Sequence, residues 1–290
     1  MNYSLDDYKK LSNLLKKYGI RPKKKLGQNF ITDWDILEKL AKLCKITPQT
    51  GIIEIGSGIG NFTACLSKYC KKLYAVEIDP YFKRVHDGYF SESPNVEFIY
   101  DDFLEVDLGE LINNLKTKHG CDEVLIIGNI PYNITGPIFI KISPHYKDFR
   151  NAYLTIQKEV AERLSANEGS KDYGIFSIKV QYFFKSEMIY KINKASFLPI
   201  PEVDSALLKL TPKAPTYFND SETERKFFKF IDAAFSQRRK TLYNSLSSKG
   251  YLSEISREDF YSTLKEMGLP EMARPEQVSI ERFLELFKKV

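Results

Sequence analysis

At 290 residues, with 43% hydrophobic and 28% charged side chains, the chain can bury one large domain and a smaller one. No long apolar stretch suits a membrane span and the N-terminus is not signal-like, so an intracellular protein with free thiols is expected. Cys44, Cys65, Cys70 and Cys121 lack C-x-x-C spacing and His86, His119 and His145 are isolated, which argues against a zinc site, a disulfide framework, a metal triad or a Ser-His-Asp arrangement.

The net charge of +5 is concentrated at one end. Residues 1–30 carry eight basic side chains, Lys9, Lys10, Lys16, Lys17, Arg21, Lys23, Lys24 and Lys25, against Asp6 and Asp7, a net +6. Such a run is either a solvated arm or, beside a nucleobase site, a grip on phosphates. Helical patterning follows over Asp33–Cys44. The short apolar run Ile52–Ile55 then breaks into Gly56-Ser57-Gly58-Ile59-Gly60 and resumes as a helical pattern from Phe62 to Tyr69. Glycines at Gly56 and Gly58 let the backbone turn tightly and approach a ligand. The order G-x-G-x-G places Phe62 and Thr63 where a pyrophosphate fingerprint needs its third glycine, which disfavours a nicotinamide or flavin dinucleotide.

The next strand, Leu73–Asp79, ends in acids about twenty residues after the first glycine, the range for a ribose-hydroxyl ligand. Glu77 is the better candidate, because Asp79 suits the cap of a helix that starts near Pro80. A third strand, Val96–Tyr100, runs into Asp101-Asp102-Phe103. There an acid can accept from an adenine amino group and Phe103 can pack on the ring, or the acids merely cap a turn. After the apolar run Val124–Gly128 comes Asn129-Ile130-Pro131-Tyr132. The Asn129 amide oxygen and a backbone carbonyl beside Pro131 can accept both N–H bonds of an exocyclic amine, Pro131 stiffens the turn, and Tyr132 offers an aromatic face to an unstacked base. A strand-ending turn is the bland alternative. Successive strands of a parallel sheet carry these motifs to one crevice at their carboxyl ends, and that convergence is more specific than any one of them.

Beyond it, helical patterning covers Gly136–Ile142, a strand Ala152–Ile156 precedes a helix Lys158–Ser165, and Gly174–Phe184 reads as helical or mixed. The proline loop Phe197–Ser205 feeds the strand Ala206–Leu210, and Thr211–Asp220 is the linker candidate. Glu222–Leu246, Arg257–Met267 and Ser279–Lys288 are helical, with the cluster Gln237-Arg238-Arg239-Lys240 either a solvated helix face or an RNA contact. The expected organisation is 1–210 with its basic arm, 211–220 as linker and 221–290 as a helical RNA-contacting domain.

Seven stretches, Lys25–Ile31, Glu54–Gly60, Val76–Asp79, Asp102-Phe103, Gly128–Thr135, Phe197–Ser205 and Phe235–Leu242, together resemble the small-subunit ribosomal RNA adenine dimethyltransferase family, the kasugamycin-sensitivity enzymes. Ile130 and Thr135 stand where that family more often has Leu and Ser. The resemblance implies an α/β, Rossmann-like S-adenosylmethionine-dependent methyltransferase domain followed by a small all-helical domain. It places Asn29, Ile31, Gly56, Glu77, Asp102 and Asn129 on S-adenosyl-L-methionine, in the crevice to which Gly58 and Phe103 were assigned above. It places Asn129, Pro131 and Tyr132 on the target adenine, with Phe197 helping to stack it. Lys23, Lys24, Lys25, Arg238, Arg239 and Lys240 become the RNA contacts. The implied partner is the small ribosomal subunit and its rRNA, met by a monomer in the cytoplasm without a metal.

The chemistry fits the residues. An adenine N6 lone pair is delocalised into the ring, and accepting its protons at Asn129 and the neighbouring carbonyl favours a pyramidal nitrogen aimed at the donor methyl. No side chain is an obvious strong base, so the proton is expected to leave to water after transfer. Three rivals share parts of this pattern: the erythromycin-resistance methyltransferases of large-subunit RNA, a ribosome-assembly or transcription factor that kept the fold and lost catalysis, and a small-molecule methyltransferase, which would not need the basic arm.

Overall fold

The structure, a computed structural model, describes residues 8–213, 217–218, 220–237 and 239–290. Its contacts divide the chain into two compact units, one of residues 1–161 with 187–212 and one of residues 162–186 with 213–290.

In chain order the elements are α1 (Tyr8–Lys17), β1 (Phe30–Ile31), α2 (Trp34–Leu43), β2 (Thr50–Ile55), α3 (Asn61–Leu66), β3 (Lys72–Val76), α4 (Lys83–Tyr89), β4 (Val96–Ile99), α5 (Leu108–Thr117), β5 (Glu123–Asn129), α6 (Thr135–Ile142), β6 (Asn151–Gln157), α7 (Lys158–Leu164), α8 (Ile175–Phe183), β7 (Phe184–Ile192), β8 (Phe197–Leu198), β9 (Ser205–Pro212), α9 (Ser221–Ala234), α10 (Leu242–Ser247), α11 (Arg257–Glu266) and α12 (Ile280–Lys289). Seven strands form one sheet in the order β4-β3-β2-β5-β6-β9-β7. Strands β4 to β6 run parallel to one another and to β2 and β3, and β9 returns antiparallel to β6.

The central strands are apolar without alternation because both faces of a parallel sheet are covered. All six residues of β2 and five of the seven of β5 are buried. From β2 the chain moves outward through β3 and β4 on one side, then crosses to β5 and β6 on the other. That reversal opens a crevice between the carboxyl ends of β2 and β5, the place where such sheets bind ligands. The glycine turn leaves β2 and the Asn129 turn leaves β5, so topology alone brings both motifs to it.

Three elements differ from the sequence reading. The basic N-terminal segment contains α1, whose Leu11, Leu14 and Leu15 are buried with Phe30, Ile59, Phe82 and Val85. Their i, i+3, i+4 spacing is the stripe of an amphipathic helix, overshadowed in the sequence by the lysines between them. The helical run expected over Glu222–Leu246 breaks after Ala234. The turn closes by Phe235 N–H to the Ile231 carbonyl and Lys240 N–H to the Gln237 carbonyl, and the Thr241 hydroxyl then caps α10. Finally, Phe184–Ile192 forms β7, which no regular alternation signals: its middle residues are half-buried throughout.

The second unit packs an aromatic core of Phe227, Phe230, Phe260 and Phe283, with Tyr173 and Tyr182 contributed by the 162–186 segment. Lys179 of α8 pairs with Asp232 of α9 at 2.6 Å, and Tyr182 Oη donates to Glu224 at 2.9 Å. Residues 162–186, counted with the first domain in the sequence reading, therefore cluster with the C-terminal helices. Of the expected linker, Thr211 and Pro212 belong to β9, while residues 214–216 and 219 lie outside the described ones.

Leu11 is fully buried. Leu11→Ala should lower the stability of the first unit by about 2–5 kcal/mol, the usual range for such a cavity. Urea denaturation followed by fluorescence checks this; an unchanged midpoint would mean that α1 is not docked.

Candidate active site

The crevice encloses about 810 Å³, open solvent at its mouth included, and is lined from five places in the chain. Asn29, Ile31, Gly56, Gly58, Glu77, Asp102, Phe103 and Asn129 all lie on its wall, so every residue assigned to the cofactor from sequence is brought together. Gly56 and Gly58 have φ of +71° and +57°. A Cβ at Gly58 would come within 2.7 Å of the Phe30 ring, whereas at Gly56 it would meet nothing nearer than the Asn129 carbonyl at 3.9 Å. Gly58 thus lets the β1 segment close over the turn, and Gly56 leaves open space for a ligand.

Glu77 sits just past β3 with only 4% of its surface exposed. Its Oε2 accepts from Gly58 N–H at 2.6 Å and its Oε1 from Asp79 N–H at 2.8 Å. A carboxylate has about four acceptor positions, so the backbone donors leave the group with acceptor capacity to spare. Burial pushes the Glu77 carboxyl up to about 7 against the opposing pull of those backbone hydrogen bonds. Asp79 does what its position suggested and accepts from Tyr81 N–H at 3.2 Å, capping the turn at Pro80. It also holds the chain ahead of β1. Lys23 Nζ lies 2.9 Å from Asp79 Oδ1 and Gln28 Nε2 donates to Oδ2 at 3.1 Å. Burial would raise the Asp79 carboxyl, but those hydrogen bonds and the Lys23 charge outweigh it and keep it below the ordinary range.

Lys23 therefore departs from the expectation of a free phosphate grip, since its ammonium is paired with Asp79 and lies 4.4 Å from the Tyr81 ring centre. Lys25, Arg239 and Lys240 are exposed, the last two in the turn between α9 and α10 and not on a helix face. Arg238 and the Lys24 side chain lie outside the described residues.

At the end of β5, Asn129 Nδ2 donates to the Asn29 carbonyl at 2.7 Å. A carbonyl can only accept, so the nitrogen must face Asn29 and the amide oxygen must point elsewhere. Of the two carbonyls flanking Pro131, that of Pro131 already accepts from Ile134 N–H at 3.2 Å. Pro131 lines the crevice; Tyr132 lies beside it, half-buried, with its hydroxyl 2.9 Å from Ser205 Oγ. Thr135 keeps the hydroxyl of the family's serine and donates to the Tyr132 carbonyl at 3.3 Å. Asp102 accepts from Leu104 N–H at 2.9 Å, the turn-capping role, while still lining the crevice beside the buried Phe103.

Phe197 is the exception. It pairs with Ile31 across β8 and β1 and is only 1% exposed, packed in the core with Ile31, Tyr153, Ile192 and Leu207. No face of its ring is free to stack on a base in this structure; it secures the strand that carries Ile31.

Sequence reasoning missed several residues that build the site. Asn61 Nδ2 donates to the Ile31 carbonyl, Gln28 joins Asp79 to the β1 segment, and Ser205 holds Tyr132. Gln28 and Ser205 lie inside the quoted motifs, where a polar residue of fixed reach was the available signal. Glu54, at the end of β2, is buried and lies 2.6 Å from the Thr63 hydroxyl. Burial, and the nearby Glu77, push its carboxyl up to about 8 despite that hydrogen bond.

The crevice fits a nucleoside-bearing cofactor that carries no pyrophosphate. Ser57 Oγ is buried beside Gly56 and Gly58 without a partner, Gly56 leaves space, and the carboxylates of Glu77 and Asp102 belong to residues on the crevice wall. The class this fold and crevice define is the S-adenosylmethionine-dependent methyltransferases. Comparison with known proteins narrows it. The family model described as ribosomal RNA adenine dimethylase matches residues 19–290. A relative from Bacillus pumilus (strain SAFR-032), named ribosomal RNA small subunit methyltransferase A, is 36% identical over 286 residues, covering 99% of this chain and 97% of its own. Among solved structures, a dimethyladenosine transferase from Plasmodium falciparum superposes with a TM-score of 0.72 at 27% identity, covering 88% of this chain and 94% of its own. The 23S rRNA methyltransferase ErmE shares the fold, with a TM-score of 0.67 at 23% identity over 90% of this chain and 98% of its own. The chain belongs to the ribosomal RNA adenine dimethylase family.

The buried carboxyl of Glu54 gives a pH signature. Its folded value of about 8 lies above the ordinary 4.5, so the native state holds the proton more tightly and stability falls as pH rises across that window. Glu54→Gln should flatten this dependence and be more stable than the parent at pH 8.5 by on the order of a few kcal/mol, with little gain at pH 5. Denaturation at both pH values measures it; parallel curves for the two proteins would place no titration at Glu54.

Proposed function

We propose that this protein dimethylates the N6 amines of adjacent adenosines in small-subunit rRNA, acting as a monomer on the small ribosomal subunit in the cytoplasm. The observation that carries the site reading is the Asn129 Nδ2 hydrogen bond to the Asn29 carbonyl, which commits the donor end of the amide and leaves its oxygen for another partner. The substrate follows the name borne by relatives such as that of Bacillus pumilus. No helix of the described residues is long and apolar enough to cross a membrane.

When bound, S-adenosylmethionine supplies an electrophilic methyl group on a sulfonium. Glu77 holds the ribose hydroxyls through the lone pairs left by Gly58 and Asp79, and Asp102 and Phe103 hold the adenine of the cofactor. Asn129 Oδ1 and the Ile130 carbonyl accept the two N–H bonds of the target amine, drawing its lone pair out of conjugation. Tyr132, fixed through Ser205, supports the flipped ring. With an activated donor, much of the rate comes from this positioning. The proton passes to water once the nitrogen is methylated. Lys25, Arg239 and Lys240 contact RNA phosphates.

Two outcomes check this reading. Asn129→Ala should slow single-turnover methylation of small subunits roughly 10–100-fold, the worth of a hydrogen bond to a group gaining charge, with RNA affinity nearly unchanged. Mass spectrometry of methyladenosines on isolated small and large subunits reads both rate and target. Normal turnover in folded Asn129→Ala would remove the proposed chemistry, and modification of the large subunit instead would favour the erythromycin-resistance type of activity. The second concerns Glu77. Its ionised form accepts the ribose hydroxyls, so cofactor affinity should fall by up to about tenfold per pH unit below about 7, and Glu77→Gln should abolish that slope. Calorimetry across pH 5.5–8 decides it; a flat profile in the parent protein would take Glu77 out of the ribose site.

A further inference from the structure

His86 is one of three histidines and carries no motif, yet it is only 2% exposed and both ring nitrogens are engaged. It belongs to α4 and is not among the residues that line the crevice. Its Nε2 lies 2.9 Å from the Gly58 carbonyl and its Nδ1 lies 2.9 Å from the Tyr100 hydroxyl. A carbonyl only accepts, so Nε2 must carry the hydrogen; in a neutral ring Nδ1 is then an acceptor and Tyr100 donates to it.

The ring is held in place by aromatic neighbours. It stacks on Phe98 with centroids 3.8 Å apart and planes at 14°, with Phe82 and Tyr100 roughly parallel at 6.3 and 5.8 Å and Phe90 edge-on at 6.1 Å. Gly60 is fitted to the same cage, since a Cβ there would come within 2.7 Å of Phe90 and 3.5 Å of His86. The imidazole therefore has one orientation and one hydrogen to give.

We propose that His86 is a positioning residue for the cofactor: it holds the Gly58 carbonyl and thereby aims the Gly58 N–H at Glu77. The proposal rests on the reading of Glu77 as the ribose ligand. Gly58 is grasped on both sides of its Cα, by His86 through the carbonyl and by Glu77 through the N–H at 2.6 Å. At a φ of +57° the residue has no side chain of its own to restrain it. The Gly56 and Ser57 N–H groups donate to the Val76 carbonyl and Gly60 N–H to the Ser57 carbonyl, while the His86 and Glu77 bonds fix the Gly58 peptide groups themselves. The Gly58 N–H in turn fixes the Glu77 rotamer, leaving the remaining lone pairs directed at the crevice. Burial holds the imidazole well below its ordinary value, at about 4, which keeps it neutral near pH 7. The chain Tyr100–His86–Gly58–Glu77 thus joins the end of β4, α4, the glycine turn and the end of β3 into one hydrogen-bonded line.

The test compares His86→Phe, which keeps an aromatic ring and removes the donor, with His86→Gln, whose side-chain amide can again donate toward Gly58. Binding of S-adenosylmethionine is measured by calorimetry alongside the melting temperature. His86→Phe should weaken binding about tenfold, as expected for disturbing one hydrogen bond at a charged acceptor, and His86→Gln should recover most of it. In a Glu77→Gln background, His86→Phe should change affinity less than about twofold, because coupled residues are not additive. A lower melting temperature with unchanged affinity in the folded fraction would make His86 a core residue only. Glu77→Gln by itself reports on the ribose assignment: unchanged affinity there overturns that reading and this proposal with it, whereas weakened binding with His86→Phe unaffected overturns this proposal alone. Nitrogen-15 spectra of the unmutated protein need no variant to fold. A neutral His86 ring with the hydrogen on Nε2 is expected, and a hydrogen on Nδ1 instead would overturn the relay.

Discussion

A single hydrogen bond between residues one hundred apart in sequence joins two walls of the crevice. Asn129, at the tip of a central strand, donates its amide to the carbonyl of Asn29 in the segment that crosses in front of the sheet. Because the donor end is committed, the acceptor end is oriented without any further contact. The bond is only as good as the two pieces it joins, and each is secured independently. Asn29 precedes β1, which is paired to β8 through Phe30–Leu198 and Ile31–Phe197 and tied to α3 by Asn61. Asn129 is the last residue of a strand buried between β2 and β6.

The same segment meets the cofactor end of the crevice through a different set of forces. Phe30 lies against the Cα of Gly58 and packs edge-on to Phe82 at 5.8 Å, while Lys23 and Gln28 reach the buried carboxylate of Asp79. A charged group as buried as Asp79 is tolerable only because it is paired and hydrogen-bonded. Close by, Glu54 and Glu77 have no cationic partner among the described residues, and burial pushes their carboxyls up instead. Three buried acids in and beside the crevice thus sit in three electrostatic situations: Asp79 paired and ionised, Glu77 bonded by backbone donors with a value near neutrality, and Glu54 against a hydroxyl with a value above it.

Much of this was legible in the sequence because parallel α/β architecture converts strand order into spatial coincidence. Each motif followed an apolar run, so placing the strands placed the glycine turn, Glu77, Asp102 and Asn129 on one edge. What was hidden had weaker local signals. Helix α1 was masked by its lysines, and β7 has no clean alternation because its middle positions are neither buried nor exposed. The break before α10 depends on a hydroxyl cap at Thr241 that a helical run of apolar residues does not reveal. Phe197 was misread for a tertiary reason: an aromatic residue beside a proline loop says nothing about which way its strand pairs, and pairing with β1 turns it into the core. Lys23 was read as one charge among eight, while its neighbourhood makes it the partner of one acid.

The most direct measurement is a crystal structure with adenosine and the demethylated cofactor, S-adenosylhomocysteine, bound together. If Asn129 activates the amine, its Oδ1 and the Ile130 carbonyl will both lie about 2.7–3.2 Å from the adenine N6, with Nδ2 still on the Asn29 carbonyl. An amine held by other groups, or an Asn129 turned so that its nitrogen faces the base, would contradict the mechanism.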